Sequence, residues 1–125
     1  MTSFMRFVAL SKFIFDAYYI ISPKAVDQLN DYIDYIQYTL LNNEAAESVW
    51  QDAKDTVNQL KVVAGSLPVC SNQVLKEHGY HSVRFAHHRY LMLYRIVDSK
   101  VYVDAVYHEL QDYENIFTKK LDSIE

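Results

Sequence analysis

At 125 residues, half of them hydrophobic, the chain is the size of one compact domain and can bury a core of its own. Two glycines, two prolines and no low-complexity run exclude a flexible linker or disordered tail, while the single cysteine, Cys70, excludes an internal disulfide and a C-x-x-C metal site. A net charge of -4 excludes generic nucleic-acid binding through a basic surface, and no apolar run approaches the ~20 residues that cross a bilayer.

The opening sixteen residues, MTSFMRFVALSKFIFD, have only a weak likeness to a signal peptide: Lys12 interrupts the apolar part and no small-residue cleavage pattern follows. They are read as an appended segment of a single domain covering 1–125, with Met5 as a second candidate start, and a cytoplasmic location is expected. YYIISP at 18–23 predicts a short strand ending at Ser22-Pro23, where Ser can cap a helix and Pro suits its first turn. Val26, Leu29, Ile33, Ile36 and Leu40 then recur every three or four residues, the stripe of an amphipathic helix. Asn42-Asn43 breaks and recaps the chain. A second stripe, Ala46, Val49, Ala53, Val57 and Leu60, has Glu44 and Glu47 in its first turn and Gly65 beyond its end, so the two helices should form an antiparallel hairpin.

After GSLP the period changes to two. HSVRFA, RYLMLYRIV and KVYVDAVYH predict three antiparallel strands, the last two joined at Asp98-Ser99. Pairing Val97 with Lys100 puts Tyr94 opposite Val103, Met92 opposite Ala105 and Tyr90 opposite Tyr107 on an apolar face that should meet the helix hairpin. The same register puts Leu93 opposite Asp104 and Arg89 opposite His108 on the other face, joined by Arg84, leaving that face partly cationic and open to a partner. A C-terminal helix is expected from about Leu110. The fold class is therefore α+β: strand, helix hairpin, three-stranded antiparallel sheet packed on the helices, and a short final helix.

Charge and histidine concentrate in one window. Residues 78–108 carry four Lys/Arg against two Asp/Glu and all five histidines: His78, His81, His87, His88 and His108. His108 is the candidate general acid or base, because imidazole titrates near neutral pH and Arg84 or Arg89 could hold a phosphate beside it. Tyr113 could donate a proton or stack on a base. His81, His87, His88 and Arg95 are candidate substrate contacts, although Arg95 also has Asp104 as an expected ion-pair partner. Neighbouring residues on a strand point to opposite faces, so His87-His88 is a poor metal pair, and neither metal nor cofactor is expected. Tyr35 and Tyr38 lie away from the first helix's apolar stripe and are candidate contact aromatics for a partner.

ISPKA at 21–25, YI at 35–36, EAA at 44–46, the GY and RYLMLYRI of the sheet, and VYHELQDYENIF at 106–117 together resemble the RelE/ParE toxin superfamily of bacterial type II toxin-antitoxin systems, including plasmid stabilization toxins. The resemblance covers residues 18–117. It implies a toxin neutralised by a cognate antitoxin, with which it would form a hetero-oligomer. RelE-like members cut messenger RNA, usually on the ribosome and without a metal; ParE-like members poison DNA gyrase and lack the nuclease residues. The positions matching the family's functional ones are Arg84, the HHRY segment at 87–90, His108 and Tyr113. On these residues the first expectation is a metal-free endoribonuclease, and the alternative is a gyrase-directed toxin or a member retaining only antitoxin binding. This chain lacks the lysine-rich surface of ribosome-dependent members and is acidic overall, which argues against cleavage on the ribosome.

Overall fold

The computed structural model describes residues 19–124, with side chains through Leu121, so the expected appended segment at 1–16 and the alternative start at Met5 lie outside the described residues. The elements are β1 (Tyr19–Ile21), α1 (Pro23–Asp34), α2 (Asn43–Val63), α3 (Gln73–Glu77), β2 (His81–Arg84), β3 (Tyr90–Val97), β4 (Lys100–His108) and α4 (Tyr113–Ile124). Capping residues set the helix starts. Ser22 Oγ accepts from the Ala25 amide with Pro23 in the first turn, and Asn42 Oδ1 accepts from the Ala45 amide at the head of α2. α1 does not stop at Asp34 but winds on through a π-helical turn, Tyr35–Thr39, before Leu41 reverses the chain at φ 53°.

The strands form one sheet in the order β1-β4-β3-β2. β1 lies parallel to β4, pairing Tyr19 with Val101 and Ile21 with Val103, so the expected three-stranded antiparallel sheet is in fact four-stranded and mixed. The hairpin between β3 and β4 turns on Asp98 and Ser99, both at positive φ, as a two-residue type I′ connection requires. Its first pairs, Val97 with Lys100 through Tyr94 with Val103, follow the register read from the sequence.

The ladder then slips by one residue. Leu93 pairs with Ala105 and Tyr90 with His108, leaving Asp104 as the extra residue of a β-bulge. Because side chains alternate with period two, the slip exchanges the faces of everything after it on β4. Val101, Val103 and Val106 join Tyr90, Met92 and Tyr94 against the helix hairpin, in a core with Leu29, Ile33, Val49, Val57 and Leu60. Ala105 and Tyr107, expected on that side, turn to the opposite face with Leu91 and Leu93.

That opposite face is not open, as the sequence had implied. Leu75 of α3, Tyr80, and Phe117 of α4 cover it and make a second core with Leu91, Leu93, Ala105 and Tyr107. At roughly 1.5–3 kcal/mol for each large apolar side chain fully buried, this layer is a substantial part of the fold rather than a loose cover. α3 has its own cap, Asn72 Oδ1, which accepts from the Val74 and Leu75 amides. α4 starts at Tyr113, three residues later than expected, so Leu110 belongs to the connecting turn.

Candidate functional site

The bulge decides what surrounds His108. Directly paired residues share a sheet face, so His108 sits with Tyr90 on the helix-hairpin side, its ring edge-on to Tyr90 with centroids 5.0 Å apart. Tyr90 in turn meets Tyr32 at 5.1 Å and Phe85 at 5.6 Å, an aromatic nest that closes the strand end. Gln111 Oε1 accepts both from the His108 amide at 3.0 Å and from the Tyr32 hydroxyl at 2.5 Å, tying the turn after β4 to α1. Desolvation in this nest raises the Tyr32 phenol to a pKa of about 12, so it stays protonated and donating. The Leu110 amide donates to His108 Nδ1 at 3.1 Å, which leaves the proton of the neutral ring on Nε2.

Arg84 and Arg89 lie on the other side. Both reach one carboxylate, that of Glu109, at 3.0 Å from Arg84 Nη1 and 3.4 Å from Arg89 Nε. Their side chains are 74% and 67% exposed while Glu109 is only 19% exposed, so the acid is the fixed centre and the two cations splay into solvent around it. The arrangement brings the two arginines together, as expected, around the Glu109 carboxylate and on the other sheet face from His108. Tyr113 opens α4, partly buried, with its ring 6.2 Å from that of Tyr107 and packed against the second core. Burial is the first cause raising its phenol above the ordinary value, followed by the nearby Glu114.

Of the four candidate substrate contacts, His81, His88 and Arg95 make side-chain contacts within the fold, while His87 is exposed. His81 Nδ1 lies 2.8 Å from the Leu67 carbonyl and its ring stacks on Tyr94 at 5.0 Å, pinning the segment before α3 to the sheet. Arg95 Nε donates to Asp104 at 2.7 Å, as expected, and its guanidinium covers the Tyr102 ring at 4.9 Å. The Tyr80 hydroxyl donates to the same Asp104 carboxylate at 2.7 Å, and burial followed by that carboxylate lifts the Tyr80 phenol far above its ordinary value. Ser22 Oγ donates to the Asp104 carbonyl at 3.2 Å, so the bulge is held from three directions.

One buried group escaped sequence reasoning. Asp52, 2% exposed on α2, accepts from the amides of Ala86 at 3.2 Å and His87 at 2.9 Å and from His88 Nδ1 at 2.7 Å. A single carboxylate thus fixes the β2–β3 loop, which carries His87, His88 and Arg89. His88 Nε2 also lies 3.3 Å from Ser48 Oγ, an order of hydroxyl, imidazole and carboxylate that matches a nucleophilic triad in sequence of contacts. The Ser48 hydroxyl, however, faces an open cleft of about 340 Å³ shared with Glu44, whose negative charge opposes a developing oxyanion, so the arrangement serves as a loop clamp. The readable signal was a carboxylate on the apolar side of α2, between Val49 and Ala53. Among the described residues, no group of three His, Cys, Asp or Glu side chains is placed to hold a metal, and no helix is long and apolar enough to cross a membrane.

The chain is similar in fold to a solved structure described as the chromosomal ParDE TA system from P. aeruginosa, with a TM-score of 0.62. Identity is 18%, and the alignment covers 73% of this chain and 94% of that one, which establishes the common fold. No curated protein sequence matches. The family model for the ParE toxin of the type II toxin-antitoxin system, parDE, matches residues 19–113, and the chain belongs to that family.

Proposed function

We propose that this chain is the toxin of a type II toxin-antitoxin pair and that it arrests growth by gripping a protein target of the DNA gyrase class, not by cutting messenger RNA. Membership of the ParE family supports the direction of this reading. The observation that carries it is the Glu109 carboxylate between Arg84 and Arg89, with His108 turned to the opposite sheet face. Metal-free RNA cleavage needs a base, an acid and a cation converging on one phosphate. Here the cations already share an anion, and the His108 nitrogen that accepts a hydrogen bond faces the Leu110 amide. Binding a partner needs no such convergence and no cofactor. A cognate antitoxin would neutralise the chain as a hetero-oligomer in the cytoplasm.

The test pairs two assays on the same purified protein: gyrase supercoiling and cleavage-complex formation, and primer extension on cellular RNA after induction without the antitoxin. The parent should inhibit gyrase and leave transcripts intact. His108→Ala should cost less than about 1 kcal/mol of stability, as a partly exposed side chain at a strand end does, and should still arrest growth. A nuclease would instead lose roughly a hundredfold or more of its activity in that variant. Transcript cleavage by the parent that disappears in His108→Ala would restore the endoribonuclease reading, with Arg84, Arg89 and Tyr113 beside it.

A further inference from the structure

The tip of the helix hairpin is built unlike the rest of the surface. Tyr35, Tyr38, Leu40 and Leu41 are 55%, 57%, 56% and 82% exposed, four large apolar side chains within seven residues. Isolated exposed apolar residues are ordinary, but a contiguous group is not. The backbone there is irregular. The Leu40 amide bonds to the Tyr35 carbonyl and the Asn42 amide to the Ile36 carbonyl, so the π turn widens the helix end by one residue and swings the chain outward. Leu41 then takes φ 53°, a conformation for which glycine or asparagine would be the undemanding choice. A turn needed only to connect two helices has no use for a leucine at that position. Its side chain is displayed at a local conformational cost, a pattern that accompanies binding function.

The charge around this tip has one sign. From Ala25 to Ala53 there is no lysine or arginine, while Asp27, Asp31, Asp34, Glu44, Glu47 and Asp52 all fall in the span, and of these only Asp52 is buried. The exposed cations among the described residues lie outside this span: Lys61 at the far end of α2, Lys76 on α3, Arg84, Arg89 and Lys100 on the sheet and its loop, and Lys119 and Lys120 on α4. The surface is therefore an aromatic and aliphatic centre with an acidic rim, complementary to a partner patch with apolar side chains ringed by lysine and arginine.

We infer that the hairpin tip, centred on Tyr38 and Leu41, is the surface with which this toxin grips its target, and that the matching patch on the target is basic. This rests on the target-binding reading above. A cationic patch is what a protein that handles DNA presents, and the acidic rim would steer the encounter.

The test uses the full chain with Tyr38→Ser/Leu41→Asn and, separately, Asp31→Lys. Leu41→Asn relieves the left-handed backbone, so the double variant should melt close to the parent, which removes misfolding as an explanation. Three readouts are taken: growth arrest on induction, the half-maximal concentration for inhibition of purified gyrase, and capture of the protein encoded by the neighbouring gene. The double variant should need at least tenfold more protein for inhibition and should lose growth arrest, with antitoxin capture unchanged. Asp31→Lys should weaken inhibition and flatten its decline with added salt. If the folded variants inhibit and arrest like the parent, or lose only antitoxin capture, the inference is wrong. A parent that arrests growth without inhibiting gyrase removes the gyrase assignment alone, and loss of arrest in the double variant would then still support the tip. A parent that is not toxic at all removes both.

Discussion

Asp52→Ala is the substitution whose cost the structure specifies most completely. The carboxylate is 1% exposed at its side chain and accepts from two backbone amides and one imidazole, all in the loop between β2 and β3. Alanine removes every acceptor and leaves the Ala86 and His87 amides and His88 Nδ1 to find water. Each donor left without its acceptor costs roughly 1–3 kcal/mol where it is buried, and because Ala86 and His87 are themselves exposed, water can reach their amides and the three together cost about 3 kcal/mol. For a domain of this size that is a fall of about 10–20 °C in Tm. Asp52→Asn keeps one acceptor oxygen and should lose roughly half as much. His88→Ala leaves the two amide bonds in place, so a double-mutant cycle between positions 52 and 88 should return a coupling of about 1 kcal/mol or more. Urea denaturation followed by circular dichroism measures the parent and the four variants. An Asp52→Ala protein within about 1 kcal/mol of the parent would refute the clamp and show that the loop holds itself without these contacts.

Two further outcomes follow from geometry alone. Tyr32 and Tyr94 have phenols raised from 10.0 to about 12, by burial first in each case, so the folded chain holds protons that the unfolded chain releases. Their contribution is intact below pH 10 and is lost as pH climbs from 10 towards 12; alkaline titration of tyrosinate absorbance should therefore lag behind model tyrosine and then rise together with unfolding, whereas titration of all phenols near pH 10 in a folded protein would contradict the burial. At the β3–β4 turn, replacing Asp98-Ser99 by Asn-Gly fits both positive φ values at less cost and should stabilise by about 0.5–1 kcal/mol in the same denaturation assay, with destabilisation as the contrary result.

The parts of the fold that were legible in the sequence are those with a redundant local signal. Val26, Leu29 and Ile33 of the first stripe are buried on α1 and all five of the second on α2, with Leu40 the exposed exception beyond the π turn, and Ser22-Pro23 and Asn42 fall where the caps occur. The β-bulge had no such signal. On β4, Ala105, Val106 and Tyr107 are consecutive and apolar, so either register satisfies alternation, and only contacts distant in sequence select one: Asp104 is held by Tyr80, Arg95 and Ser22. The run of three apolar residues was itself the hint that both faces of this strand end are buried. α3 was missed because five residues fall below the length at which periodicity speaks, leaving Asn72 as its only local mark. β1 was seen as a strand, but its parallel place beside β4 depends on a connection through α1, α2, α3, β2 and β3 that no pairing rule within the strand encodes.

The same bulge explains why residues read in sequence as one sheet face lie on two. In an unbroken ladder Arg89 would stand opposite His108, and Arg84 would share their face: an imidazole and two guanidiniums around one open patch. One additional residue in β4 substitutes Tyr90 for Arg89 as the partner of His108. The ring then turns to the aromatic nest under α1, and the arginines are left with Glu109, the next residue along the chain. Residue types and their order are identical in the two arrangements, so no motif distinguishes them; the parity of the strand does. Chemistry that requires convergence on a phosphate is sensitive to that parity, and partner binding through the distant hairpin tip is not. With this bulge Arg84 and Arg89 lie on one sheet face and His108 on the other, and that placement is the physical argument behind the target-binding reading proposed above.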